Sequence, residues 1–395
     1  MSPRLLLLSC LSAVLCVSAA WGSQEDGANK AGIPGASFPV AHVYVTSTPA
    51  NSSNNQIEGF TAGLDGRLTP ISGSPFQFDD VGMSVNGMKL FALNRTAPAI
   101  DAYSIGFDGA LAYLTSTDYA QDNPEDCGSA VWLFPDRTGA DLYAMEFDGD
   151  CANNTYQSFD VEKGTSGLNY LGYANGGAGT FFGIYLPASF LGNNLYAYEA
   201  TNNSCMYYEV WGFQRNSNGL LTPSSGTTTL PPPPDGYRIY IPTQLATDPT
   251  NHVAIALWPA NPPGCSTVPQ QIGSFTADAN GNLTTTNTSA NMPTTAVTGV
   301  SAMKISPWGN LLAVGGTGGL QIFHFNGAQP ATEFTGLLTT DTINQMFWDK
   351  ANHLYAISES GNKLHVFSIT AAGSHEAPGS PYAINQPLSL AVQSR

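Results

Sequence analysis

The sequence HLYAIS, residues 353–358, is one of seven copies of a short apolar strand that recur along the chain. The other copies are HVYVTS (42–47), KLFALN (89–94), DLYAME (141–146), NLYAYE (194–199), VAIALW (253–258) and LLAVGG (311–316). Successive copies are separated by roughly 40–60 residues, which is the spacing of propeller blades. The repeat therefore predicts seven blades.

Each copy lies within a pattern of four strands, which we name A to D in chain order. After the copy, strand B, comes an alternating strand and a turn, as in QIEGFTAGLDGRLTPIS (56–72) with its Asp65-Gly66 pair. Asp-Gly and Asn-Gly pairs tolerate the positive φ angles of tight hairpins, so they connect strands C and D. Before the copy lies another apolar strand, as in VSAMKISPWGN (300–310), which we assign to the innermost strand A.

The two ends of the repeat region complement each other. The first copy lacks a preceding strand A, whereas the C-terminal PLSLAVQSR (387–395) is a strand A with nothing after it. Pairing them completes a blade and removes two exposed sheet edges. We predict an all-β, seven-bladed β-propeller of four-stranded antiparallel blades over residues 38–395, with the ring closed by that C-terminal strand.

The N-terminus predicts export. Arg4 is followed by an apolar segment from Leu5 to Ala20, and the small residues Ala20 and Gly22 fit a cleavage site, so residues 1–22 form a predicted signal peptide. A lipoprotein signal ending at Cys10 is a second interpretation. Residues 23–37 are polar and glycine-rich and are expected to be flexible. No membrane span is predicted, and the protein is expected to be secreted or periplasmic.

Composition limits the partners. The chain has 395 residues, 13 Lys and Arg against 29 Asp and Glu, and a formal net charge of −16. Such an acidic chain is a poor ligand for nucleic acid or anionic membranes. Four cysteines follow the signal peptide, at positions Cys127, Cys151, Cys205 and Cys265. An even count in an exported protein predicts disulfides with three possible pairings, of which Cys127–Cys151 and Cys205–Cys265 is preferred from their loop positions.

Two repeated motifs carry a family resemblance. The segments SPWGNLLA (306–313) and YSIGFDGAL (103–111) resemble the lactonase family of seven-bladed propellers, which includes 6-phosphogluconolactonase-type and muconate-cycloisomerase-like proteins. The resemblance implies chemistry on lactones or other cyclic esters. That family's Asp-Leu-Gly-x-Asp segment follows no strand B here, and no identified strand A begins with His, so its functional residues cannot be transferred.

Candidate site residues follow from the expected mouth of the channel, where the D–A and B–C loops share one face. Asn94, Glu146 and Glu199 end strands B, and Asp148 and Glu359 follow such ends. Carboxylates there can act as a general base or hold a divalent cation, although the same residues are common in turns. We predict Glu146 and Glu199 as catalytic residues, with no metal ligand set identified and no cofactor evident.

Basic and aromatic residues complete the predicted site. Arg238 is predicted to pair with a substrate carboxylate as a third catalytic residue, with Tyr240 beside it. Arg95, next to Asn94, is a second candidate cation, and Trp258 could stack on a sugar. Two functions stay open at this point. One is a monomeric lactonase-type hydrolase acting on a small lactone; the other is a non-enzymatic propeller that binds a glycan, peptide or protein through its loops.

Overall fold

The computed structural model describes residues 39–119, 130–146, 155–161, 167–175, 189–203, 207–262 and 268–395, without the side chains of residues 201–203 and 207. The predicted signal peptide, the segment 23–37, Asp148 and the four cysteines lie outside the described residues, so those predictions stay predictions. The strands form seven sheets that belong to one compact unit.

The strands, numbered in chain order, group by blade. Blade 1 contains β1 (Ala41–Ser47), β2 (Gln56–Ala62), β3 (Leu68–Pro70) and the C-terminal β29 (Pro387–Ser394). Blade 2 contains β4 (Asp80–Asn86), β5 (Lys89–Asn94), β6 (Ala99–Ile105) and β7 (Leu111–Asp118). Blade 3 contains β8 (Ala130–Pro135), β9 (Asp141–Glu146), β10 (Thr155–Val161) and β11 (Leu168–Asn175). Blade 4 contains β12 (Ser189–Phe190), β13 (Tyr196–Asn203), β14 (Tyr207–Arg215) and β15 (Leu221–Pro223).

The last three blades follow the same order. Blade 5 contains β16 (Ile239–Thr247), β17 (His252–Ala260), β18 (Gln271–Ala277) and β19 (Leu283–Thr284). Blade 6 contains β20 (Val300–Ile305), β21 (Leu311–Gly316), β22 (Gly319–Asn326) and β23 (Gln329–Thr339). Blade 7 contains β24 (Gln345–Trp348), β25 (His353–Ser358), β26 (Lys363–Thr370) and β27 (Gly373–Glu376), with β28 (Tyr382–Ala383) also paired to β26. The predicted seven-bladed, antiparallel, all-β propeller is confirmed.

The predicted ring closure is also confirmed. Strand β29 pairs antiparallel with β1, from Ala41 opposite Ser394 to Ser47 opposite Pro387. A buried hydrogen bond of 2.9 Å joins His42 Nδ1 and Gln393 Oε1 across this pair. The first blade therefore takes its innermost strand from the end of the chain.

The hydrophobic core lies between blades rather than within them. Among the described residues, seven main clusters of buried side chains each join two neighbouring blades. Tyrosine hydroxyls strengthen three of these contacts by donating to a glycine carbonyl in the C–D turn of the next blade. The pairs are Tyr44 to Gly109 (2.7 Å), Tyr143 to Gly219 (2.7 Å) and Tyr198 to Gly281 (2.9 Å). All three glycines have positive φ, as the predicted Asp-Gly and Asn-Gly turns require.

The hydrogen bonds that close the A–B turns show which residues occupy equivalent positions in different blades. In blade 3 the turn is closed by a bond from Asp136 N to Asp141 O, and in blade 4 by a bond from Leu191 N to Tyr196 O. Tyr198, and not Tyr196, is therefore the counterpart of Tyr143. The sequence copies DLYAME (141–146) and NLYAYE (194–199) align Tyr143 with Tyr196 instead, which is wrong by two residues. The shift is not visible in the sequence because YAY has a tyrosine at both positions. No helix in the described part of the chain is long and apolar enough to cross a bilayer.

Candidate functional site in the channel

A cavity of about 280 Å³ occupies the central channel. Its lining comes from the innermost strands of six blades, β4, β8, β12, β16, β20 and β24. Most lining residues lie in the C-terminal halves of these strands, so the cavity is at the A–B-turn end of the channel. This is the face opposite to the D–A and B–C loops on which the sequence-based prediction was built.

Lys304 supplies one cation to the cavity. It lies near the end of β20, and its Nζ is 5.0 Å from the centre of the Phe347 ring in the next blade. Desolvation, and secondarily the charge of Arg137, lower the pKa of Lys304 to about 8. The side chain is half-buried. With a pKa of about 8, a fraction of the amine is neutral near physiological pH.

Arg137 supplies the second cation, from the A–B turn that follows β8. Its Nε donates to Phe190 O at 2.8 Å, and its Nη2 donates to Asp248 O at 2.6 Å and to Thr247 Oγ1 at 3.1 Å. These bonds reach two further blades and fix the plane of the guanidinium. The Nη1 group makes no hydrogen bond to any described residue, so it is available to a ligand.

The walls are a mixture of aromatic and amide side chains. Trp132 and Phe347 give flat apolar surfaces, and Gln244 and Asn344 give polar ones. The Nε2 of Gln244 is already used, since it donates to Ser301 O at 2.9 Å. Such a lining suits a small ligand that combines an apolar or ring surface with polar groups.

The charge of the cavity is opposite to that of the chain. The described lining contains Arg137 and Lys304 but no Asp, Glu or His, whereas the formal charge of the whole chain is −16. Neither cation forms an ion pair with a described carboxylate, although the charge of Asp248 acts on Arg137. Two such cations in one cavity favour an anion, or a group that becomes negative during a reaction.

The two predicted catalytic glutamates lie elsewhere. Glu146 and Glu199 are both buried. Glu146 is the last residue of β9, as predicted, but Glu199 lies in the middle of β13 (Tyr196–Asn203), so the prediction that Glu199 ends a strand is wrong. Gln157 Nε2 donates to Glu146 Oε1, and the Tyr156 hydroxyl of blade 3 donates to Glu199 Oε2 of blade 4. Neither glutamate lines the channel cavity, and their catalytic role stays a prediction.

Arg238 and Tyr240 are not brought together by the structure. Arg238 is exposed and borders a shallow depression with Tyr237, Asn261 and Pro262. Tyr240 is buried, and its hydroxyl donates to Gln271 Oε1. No hydrogen bond or ion pair recorded for the described residues joins Arg238 to either predicted glutamate.

The remaining predicted ligand-binding residues have local partners. Asn94 Oδ1 accepts the backbone N–H groups of Thr96 and Ala97, each at 2.9 Å, which is a turn-forming role. Arg95 forms an exposed bidentate ion pair with Asp79.

Trp258 and Glu359 also lie outside the cavity. Trp258 is half-buried and donates Nε1–H to Val268 O at 3.0 Å. Glu359 is exposed, and its backbone N–H donates to Asn344 Oδ1 at 2.9 Å. Within the described ranges no three His, Cys, Asp or Glu side chains gather as a metal site. Asp148, one of the carboxylates considered for a divalent cation, lies outside those ranges.

Sequence reasoning missed Lys304 and Arg137, although a signal was present. Lys304 lies in VSAMKISPWGN (300–310), which the sequence assigned to a strand A and its turn. Arg137 lies in the corresponding segment of blade 3, SAVWLFPDRTGA (129–140). Innermost strands line the channel, and basic residues number only 13 in this chain. A basic residue on an innermost strand was therefore the rarer and more informative observation.

Solved structures with the same fold are similar to this chain in shape and very different in sequence. A periplasmic gluconolactonase from Pseudomonas aeruginosa matches with a TM-score of 0.65 and 12% identity, covering 90% of this chain and 99% of that one. A protein from Bacteroides uniformis described as a "putative 6-phosphogluconolactonase" matches with a TM-score of 0.66 and 13% identity, covering 89% and 99%. A second protein so described, from Bacteroides fragilis, has a TM-score of 0.64 and 14% identity, covering 91% and 100%.

These matches confirm the resemblance of the chain to lactonase-type seven-bladed propellers at the level of the fold. No family model matches the chain, and no curated protein is similar to it in sequence.

Proposed function

We propose that the protein is a lactonase-type hydrolase that opens a small lactone in the channel cavity. The observation that carries this proposal is the pair Lys304 and Arg137 in a small cavity with aromatic walls. Neither of these two cations forms an ion pair with a described carboxylate. The fold, shared with a periplasmic gluconolactonase, supports the same chemical class. Because fold alone is a weak argument for function, the residues of the cavity must carry the mechanism.

Hydrolysis needs a base, a donor for the developing oxyanion and an acid for the leaving oxygen. In the proposed mechanism, the neutral amine of Lys304 accepts a proton from water as the water oxygen attacks the lactone carbonyl carbon. The Nη1–H of Arg137 donates to the carbonyl oxygen as it gains negative charge. The ring C–O bond then breaks, the alkoxide takes the proton back from Lys304, and the product is a hydroxy acid.

The predicted export remains part of the proposal. We propose that the mature protein acts outside the cytoplasm, on the basis of the signal peptide predicted over residues 1–22. The gluconolactonase of Pseudomonas aeruginosa, which has the same fold, is a periplasmic protein. A non-phosphorylated sugar lactone is the simplest substrate class for an enzyme in that compartment.

A panel of five- and six-membered sugar lactones, assayed with purified mature protein, tests the function. Lys304→Met should lower kcat/KM by at least about 100-fold, since a positioned general base contributes about 10²–10⁴-fold. The matched control is Lys350→Met, which removes an exposed lysine from an A–B turn and should leave the rate unchanged. For the wild type, kcat/KM should rise with pH up to about 8 and then level off, because the amine must be neutral.

The outcomes separate the candidate sites. If the Lys304→Met variant still hydrolyses lactones but EDTA abolishes the activity, the reaction takes place at the carboxylates predicted on the opposite face. Saturable binding of lactones or sugar acids without turnover would leave a binding function in the channel. No turnover and no binding would overturn the proposal.

A further inference from the structure

The amine of Lys304 lies in a different environment from the amines of Lys350 and Lys363. Lys363 pairs with Asp341 at 2.7 Å, and Lys350 is exposed to solvent. The Nζ of Lys304 instead lies over the Phe347 ring at the cavity, and the charge of Arg137 acts on it. Desolvation next to a second cation is the arrangement that makes a lysine nucleophilic in enzymes that form imines.

The structure points to a second use of this amine. We propose that Lys304 forms an imine with a small aldehyde or ketone that carries a carboxylate and enters the channel cavity. The inference depends on the cavity and not on lactone hydrolysis, which needs the same amine only as a base. It commits to one ligand class, because an imine requires a carbonyl carbon that bears no leaving group.

The carboxylate requirement follows from Arg137. Its guanidinium is held in place by Phe190, Thr247 and Asp248, and Nη1 retains its hydrogen-bonding capacity. A guanidinium fixed in this way recognises a carboxylate oxygen at little entropic cost. At about 280 Å³ the cavity is just below the usual size range of ligand pockets, which selects small molecules.

The proposed step balances without any further reactant. The lone pair of the neutral amine attacks the carbonyl carbon, and the π electrons of the carbonyl move to its oxygen. A proton passes from nitrogen to oxygen to give a carbinolamine, which loses water to form the imine. Water is the only product released, and no oxidant or reductant takes part.

Reductive trapping on the folded full-length mature protein tests the inference. The probe is glyoxylate with sodium cyanoborohydride at neutral pH, and peptide mapping by mass spectrometry measures the rate of modification at each lysine. An amine with a pKa of about 8 has a neutral fraction more than about 100-fold larger than that of an ordinary lysine. Part of this advantage is lost because a less basic amine is less nucleophilic, so Lys304 should react at least about 10-fold faster than Lys350.

Three controls make the result decisive. The preference for Lys304 should disappear in guanidinium chloride, where the cavity no longer exists. Lys304→Arg should abolish the modification of its peptide and leave that of Lys350 unchanged. Acetaldehyde, which lacks the carboxylate, should show a smaller preference than glyoxylate.

Two results would overturn the inference. Modification of Lys304 no faster than that of Lys350 in the folded protein would exclude a nucleophilic amine. An equal preference with acetaldehyde would exclude the role given to Arg137. Because reductive trapping measures the modification of the Lys304 amine itself, either result is independent of whether any lactone is hydrolysed.

Discussion

Replacing Leu390 by alanine is expected to lower the free energy of unfolding by about 3 kcal/mol. Leu390 lies on the C-terminal strand β29 and is fully buried, in a cluster that joins blade 1 to blade 7. Truncating a buried leucine removes transfer energy and leaves a cavity, at a cost of about 2–5 kcal/mol. Its backbone N–H donates to Gln345 Oε1 at 2.6 Å, and this bond is retained in the variant. The expected loss of unfolding free energy therefore measures the packing of the Leu390 side chain between blades 1 and 7.

Leu388→Ala provides the matched control on the same strand. Leu388 is 37% exposed and belongs to none of the main clusters, so its truncation should cost only about 0.5 kcal/mol. Urea unfolding followed by tryptophan fluorescence gives the midpoint and slope for each variant. Equal midpoints for the two variants would show that the last strand does not pack as described, and the ring closure would have to be abandoned.

Two further predictions address contacts between blades and the charge state of the core. Tyr143→Phe should lower the free energy of unfolding by about 1–2 kcal/mol, because the Gly219 carbonyl loses its donor. Tyr113→Phe, which changes an exposed tyrosine, should have little effect. Equal effects of the two variants in thermal unfolding would contradict the hydrogen bond between blades. Burial raises the pKa of Asp80 from 3.8 to about 7, so the folded protein holds this proton over a range in which the unfolded chain has released it. Stability should therefore fall as the pH rises from about 4 to about 7. Asp80→Asn, which has no proton to lose, should weaken that fall, whereas parallel profiles for both proteins would refute it.

The fold was predictable because its signals are local and repeated. Each blade repeats the same apolar strand and a glycine turn, so an error in one copy is corrected by the others. The closure by β29 and β1 followed from counting strands at the two ends, and the structure confirms it. The register was less secure. In blade 4 the alternation in YAY made Tyr196 and Tyr198 equally good matches. The hydrogen bonds from Leu191 N to Tyr196 O and from the Tyr198 hydroxyl to Gly281 O distinguish them.

The site was harder to predict, because it depends on which residues of different blades face one channel. Asp and Glu at strand ends suggested a site, yet Glu146 and Glu199 are buried and bonded to Gln157 and Tyr156. A carboxylate at a strand end has many structural uses, and sequence position alone does not separate them from catalysis.

A propeller offers a better criterion, which is departure from the repeat. The A–B turn bonds align the innermost strands of five blades at Asp136, Leu191, Asp248, Ser306 and Asp349. Two residues before each of these positions, the chain has Phe134, Ser189, Ala246, Lys304 and Phe347. Three of these are apolar, Ser189 is small and uncharged, and only Lys304 carries a charge, whose desolvation costs free energy. Since the scaffold folds with uncharged residues at this level in the other four aligned blades, the cost of Lys304 is not explained by folding. It is explained if the amine acts on a ligand in the cavity.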